Sequence, residues 1–509
     1  QRQMCIRDSG LFGELYHYPA GMHKKGTLID IHEWDTGKYL GQIAQARQTY
    51  NVIGNMNEFQ LTIGETTFGG RPELVDTTGI IDYGSLIYLG LQRSRTAREA
   101  IKVMTELVQE YGYYSGGESF TIADPNEIWI MEMIGKGPGV RGAVWVAVRV
   151  PDDCISAHAN QSRIHQFNMN DKENCMYSPD VISFAREKGY FDGVNKDFSF
   201  ANAYAPLDFG ARRYCEARVW SYFNMFTDRG NEFLPYILGE TNTPMPLFVK
   251  PNRKVSVQDV KNAMRDHYEG TPLDISKDFG AGPYHTPYRL SPLSFKVGDR
   301  EYFNERPIST QQSGFVFVAQ MRSELPDPIG GVLWFGTDDA NMTVFTPVYC
   351  CTDKVPVCYT RVDGADYITF SWNSAFWIFN WVANMVYPRY DLMMGDVRAT
   401  QTELETTFNE AQEGVEAAAA KLLEKDPAKA KAFLTNYTNM TAQSTFDTWK
   451  RLGEFLVVKY NDGVVKRMKN GQFERNSIGQ PAGVIRPGYP KEFLEEYVKQ
   501  TGDRYKMPE

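Results

Sequence analysis

Three apolar runs in this chain, Ser119 to Ala123, Ile128 to Ile134 and Ala143 to Val150, are joined by connections of four and eight residues. A parallel crossover takes about a dozen residues or more, whereas an antiparallel pair needs only a tight turn. The runs therefore pair as an antiparallel meander. The first connection holds Asp124-Pro125-Asn126 and the second Gly135, Gly137, Gly139 and Gly142, residue types that supply turn geometry.

The elements around the meander follow from the same kind of reading. Asn51 to Thr67 predicts a hairpin, with Val52 and Ile53 before a turn near Asn57-Glu58 and Leu61 and Ile63 after it. Thr96 followed by Glu99 is a capping box, and Ala97, Ile101, Met104, Leu107, Val108 and Tyr111 form one helical apolar face that stops at Gly112. Residues 151–270 mix short strands with helices expected over 179–188, 213–226 and 257–268. Residues 270–312 are rich in Pro and Gly and predict an ordered surface excursion or a lid. Strands return at Phe315 to Gln320 and Val332 to Phe335. From about Arg398 onward helices dominate, carried by Leu404, Phe408, Ala411, Val415, Ala418 and Leu422, then by Phe446, Trp449, Gly453 and Leu456. No internal repeat is present. Strands first, helices interleaved and a helical tail predict an α+β fold.

Composition removes several functions. The net charge is −9 and the pI near 5.5, so no global basic field exists for nucleic acid or anionic lipid. Phe376 to Tyr387 is the longest aromatic-apolar stretch, well short of the roughly 20 residues a membrane span needs, and it contains Asn380 and Asn384. Seven cysteines do not make a disulfide framework, and no Cys/His spacing suggests zinc. There is no phosphate loop, no HExxH pair, no GxSxG elbow and no SxxK pair. His158 and His165 are read as polar packing rather than metal ligands. No cofactor or metal is called for.

Four strings carry a resemblance: YNVIGNMNEFQLTIGETTFGGRPEL, ESFTIADPNEIWIMEMIGKGPG, VPDDCISAHANQSRI and GVLWFGTDDANMTVFTPVYC. They resemble the bacterial dipeptidase family of N-terminal-nucleophile hydrolases, related to penicillin V acylase and bile salt hydrolase. The resemblance implies an αββα sandwich and hydrolysis of unblocked dipeptides by a cysteine at the mature N-terminus. Such a cysteine supplies both thiol and base, because an α-amino group with a reference pKa of about 7.7–8.0 is partly unprotonated at neutral pH.

By that resemblance Asn57 lines the oxyanion hole, Asn160 binds near the scissile carbonyl, and Arg218, in Glu216-Ala217-Arg218-Val219-Trp220, holds the nucleophile region. The plain readings are a turn residue for Asn57, a strand-end or cap residue for Asn160 and a salt-bridging helix residue for Arg218. Glu65 and Asp124 are further carboxylates able to bind a substrate ammonium, and the first reading of each is structural. Residues 1–9 are expected to be a non-native scar ahead of a hydrolase domain over 10–397 that lacks its first hairpin and, with it, the nucleophile cysteine, which is expected to be absent from this sequence; a mainly helical region over 398–509 follows. Cys5 sits too close to Gly10 for the family's hairpin to fit between them. Cys154, Cys175, Cys215, Cys350, Cys351 and Cys358 are expected as small buried hydrophobes. Two alternatives stay open: an amidase or acylase of the same fold acting on N-acylated substrates, and a peptide-binding scaffold without turnover. Small peptides are the expected partners, and oligomeric state and localisation are left open.

Overall fold

The structure is a computed structural model that describes residues 12–508 and, for the backbone alone, Arg2–Cys5. The expectation for residues 1–9, and with it Cys5 as a thiol, lies outside the described side chains.

Two antiparallel sheets organise the chain. The smaller contains β1 (Arg2–Cys5) at one edge. The larger contains β2 (His17–Tyr18), β3 (Val52–Ile53), β4 (Met56–Asn57), β5 (Thr62–Gly69), β6 (Gly117–Ala123), β7 (Ile128–Gly135), β8 (Ala143–Arg149) and β9 (Cys175–Tyr177), adjacent in space in that order. The predicted meander is its centre. Phe120 faces Met131 across β6–β7, and Met131 faces Ala147 across β7–β8. The predicted hairpin is a more compact device: β3 turns directly into β4, and β4 meets β5 only at Thr62. The smaller sheet is completed by β10 (Ser313–Gln320), β11 (Val332–Thr337) and β12 (Thr346–Tyr349).

Helices α1 (Tyr83–Arg93) and α2 (Ala97–Tyr111) cover one face of the larger sheet, packing Leu86, Leu89, Ile101, Met104 and Val108 on Ile63, Phe120, Ile122, Trp129 and Met131. Helix α2 begins where the cap placed it. The Glu99 amide donates to Thr96 Oγ1 at 3.2 Å, while the Glu99 carboxylate reaches back to the Arg95 amide rather than to that of Thr96. Gly112 ends the helix at φ +80°, a conformation that costs glycine little.

Beyond the sheet, the predicted helices at 213–226 and 257–268 are α3 (Ala217–Phe226), which continues a short π-helical turn over Ala211–Glu216, and α4 (Val257–Ala263). Residues 270–312 hold the hairpin of Ser294–Val297 and Arg300–Phe303.

The C-terminal helices begin at Ala375, earlier than the predicted 398: α5 (Ala375–Val386), α6 (Tyr390–Leu423) and α7 (Pro427–Tyr460). They share one core with the smaller sheet, and Trp449 of α7 stacks on Phe379 of α5 with centroids 4.7 Å apart. No described helix is long and apolar enough to cross a membrane.

Thr96→Ala removes the α2 cap and should cost about 1 kcal/mol. Urea denaturation followed by circular dichroism checks it, and a loss below about 0.3 kcal/mol would show that the cap is dispensable.

Candidate active site

Along β5 the sheet pairs fully with β6 on one side but with β4 only at Thr62 on the other. A cavity of about 800 Å³ borders β5 beyond that point. Its walls are Glu65, Thr66 and Thr67 of β5, Thr121 of β6, residues 154–160, Arg218 of α3, and Val318, Ala319 and Gln320 of β10. Arg306, Pro307, Ile308 and Thr310 show that the 270–312 excursion supplies part of the wall.

Asn160 and Arg218, named from sequence, meet here. Arg218 Nη2 donates to Asn160 Oδ1 at 2.9 Å and to the Ala159 carbonyl at 3.1 Å, and Arg218 Nε donates to the Tyr214 carbonyl at 2.7 Å. Asn160 Nδ2 donates to the Thr67 carbonyl at 2.7 Å, so one side chain bridges the sheet edge and the helix. The Asn160 backbone sits at φ +62°, a left-handed position that asparagine tolerates better than most residues.

Asn57 lies elsewhere. It is fully buried, its Nδ2 donates to the carbonyls of Leu91 and Ser94 at 2.8 and 2.7 Å, and its Oδ1 accepts from the amides of Phe59 and Leu61. It is absent from the cleft wall. These bonds tie the β4–β5 turn to the end of α1. Of the two extra carboxylates, Glu65 lines the cleft. Asp124 does not: it accepts from the amides of Asn126, Glu127 and Ala97 and so joins a β-turn to the start of α2.

Two wall residues, Asp35 and Cys154, had no distinguishing signal in the sequence. Asp35 accepts a hydrogen bond from Tyr83 Oη at 2.8 Å. Its carboxyl is pushed up to about 6, first by burial and then by the neighbouring carboxylates Glu33, Glu65 and Asp82, against the opposing Tyr83 bond. Cys154 is half-buried in the wall, and burial together with Asp153 pushes its thiol up. The other five described cysteines are buried, and burial raises their thiols as well. None of the six is a poised thiolate.

His158 is stitched between Thr66 Oγ1 and Thr121 Oγ1, each at 2.7 Å. Burial holds its pKa down to about 3, so the ring is neutral at physiological pH. His165 bonds Ser199 Oγ at 3.0 Å and is lowered to about 4 by burial and by Arg163. Among the described residues no group of His, Cys, Asp and Glu is placed to hold a metal ion.

Comparison with known proteins places this geometry in context. Residues 12–403 match the model of peptidase family C69. A "probable dipeptidase" of Salmonella dublin is 30% identical over 63% of this chain and 65% of its own length. A "probable dipeptidase" of Latilactobacillus sakei is 27% identical over 69% and 66%. "Dipeptidase A" of Lactobacillus helveticus is 24% identical over 62% and 60%. The chain therefore spans just under two thirds of the length of these relatives.

A histidine whose folded pKa lies below its unfolded value of about 6.5 binds its proton more readily in the unfolded chain. His158 and His165 should therefore make stability fall as pH drops below about 6.5, with the loss continuing toward the folded values. His158→Gln should flatten that slope in urea titrations between pH 7 and pH 4. An unchanged slope would show that His158 is not held neutral.

Proposed function

Because the chain belongs to peptidase family C69, we propose that it acts as a cysteine-type dipeptidase whose substrates are unblocked dipeptides bound in the cleft beside β5. The observation that carries this reading is that the family match over residues 12–403 includes Asn160 and Arg218, which meet on the wall of that cleft. We further infer an αββα arrangement, supported by α1 and α2 on the larger sheet and α5 to α7 on the smaller.

In this reading the nucleophile is a cysteine carrying a free α-amino group. The amine takes the thiol proton, the thiolate attacks the peptide carbonyl, and the proton passes to the departing amino group. Water then hydrolyses the thioester and releases the second amino acid. Asn160 is suited to the developing oxyanion, since among the described residues only one of its two Nδ2 protons is used, by the Thr67 carbonyl. Arg218 fixes the Asn160 carbonyl end, so that the amide presents its nitrogen rather than its oxygen to the substrate. Asn57 acts from a distance, by holding the turn that leads into β5. The raised thiols of the six described cysteines support a nucleophile other than these.

Asp35 and Glu65 give the cleft the negative charge that a substrate ammonium requires, and an N-acylated substrate lacks that ammonium. A panel of free dipeptides and their N-acetyl analogues tests the assignment. Release of amino acids from the free dipeptides, with the acetylated forms cleaved at least about tenfold less efficiently, is expected. Preference for the acetylated forms would instead make the protein an acylase, and no turnover on any dipeptide would remove the peptidase reading. Asp35→Asn should raise KM for free dipeptides by about tenfold, because a charge-assisted contact becomes a neutral one.

A further inference from the structure

Residues 157–164 carry Asn160, and they are gripped from two sides by charges buried away from the cleft. Glu132 of β7 is fully buried and points at this segment. It accepts from Ser162 Oγ at 2.5 Å and from the amides of Arg163 and Ile164 at 2.5 and 3.2 Å. Burial pushes its carboxyl up to about 7, against the pull of these donors. Arg163 runs in the opposite direction. Its Nε lies 2.9 Å from one Glu216 oxygen and donates to the other at 3.2 Å, with both side chains almost wholly buried. Its Nη1 donates to the Ala157 carbonyl at 2.9 Å, and its Nη2 to the Pro246 carbonyl at 3.0 Å.

Glu216 immediately precedes α3, and Arg218 is in the first turn of that helix. One helix start therefore holds the segment twice. Arg218 grips Ala159 and Asn160, and Glu216 grips Arg163 three residues further on. One attachment is at the left-handed Asn160 and its neighbour Ala159, and the other is three residues on at Arg163, so the segment is held at that turn and beyond it.

We propose that Arg163 and Glu216 are positioning residues for the reaction, acting through Asn160 and touching no substrate. The proposal rests on the dipeptidase reading for its catalytic consequence, while its structural part stands without it. A buried ion pair stabilises a fold poorly because both charges lose their water. Its value here is directional: a guanidinium with defined donors fixes the segment at three separate acceptors.

The test combines two readouts on the full chain. Arg163→Met and Glu216→Gln are compared with wild type and with Arg163→Lys for dipeptide turnover and for hydrogen exchange of the 157–164 amides. Expected are a fall in kcat of at least about tenfold with KM within about twofold, faster exchange over 157–164 at an unchanged rate in α1 and α2, and partial recovery of both in Arg163→Lys. Faster exchange with unchanged kcat would overturn the catalytic half, and unchanged exchange in both variants would overturn the clamp itself. If wild type cleaves no dipeptide the catalytic half falls with the dipeptidase reading, and the exchange data decide the clamp alone.

Discussion

A strand that is paired along one side and released along the other sets the character of this molecule. β5 keeps its full ladder with β6, yet β4 leaves it after Thr62. Backbone groups along such an edge need partners other than a neighbouring strand. Asn55 meets the first of them, exchanging backbone and side-chain bonds with Ile63. Asn160 meets the carbonyl of Thr67. Both bonds fall on alternate residues of β5, as the period of a strand requires for groups facing one side. Thr66, Thr121 and Ile130 share one face of β5, β6 and β7, so the cavity spreads over that face and reaches the β5 edge, where Glu65 and Thr67 also line it.

The charges around this edge fall into two kinds. Arg163, Glu216 and Glu132 are buried and heavily bonded to one another and to backbone, so their role is geometric. Asp35 is less buried, has one hydrogen bond from Tyr83 and sits among other carboxylates, so its role is electrostatic. His158 belongs to neither kind. Between two threonine hydroxyls, each able to donate or accept, a neutral imidazole satisfies both ring nitrogens without bringing charge into the interior. Neutral polar stitching on the cleft wall, with ionic clamping behind it, leaves the field inside the cleft to the charged groups that line it.

What the sequence discloses about this chain divides by distance along it. The 119–150 meander and the Thr96 helix are readable because turn length, capping and periodicity are local properties. The C-terminal helices begin before the predicted Arg398, and that start is not legible because Phe376 to Val386 is apolar on nearly every side. It lies between the smaller sheet and α7, so it shows no clean stripe. At the site, Asn160 and Arg218 came from the resemblance, and their contact is a fact of tertiary structure. Asp35 and Cys154 gave no signal at all, since nothing local distinguishes a wall residue from any other surface aspartate or small thiol. Asn57 is the instructive case. Asparagine next to glutamate in a turn reads as backbone chemistry, and four bonds to backbone groups are what the structure gives it.

The placement of Glu216 and Arg218 at the start of one helix bears on how rigid such a site can be. Glu132 and the Thr67 carbonyl hold residues 157–164 from the sheet side, and a displacement of about 1 Å is enough to cost a reaction heavily. Two further attachments three residues apart on the segment, returning to the start of α3, hold it from the opposite side. Apolar side chains of similar volume would fill the same space, and in other proteins such replacements leave stability intact or improve it. They would not aim donors at the carbonyls of Ala157 and Pro246. The buried ion pair is thus better understood as a constraint on direction than as a source of stability, and the left-handed backbone of Asn160 is what that constraint holds in place.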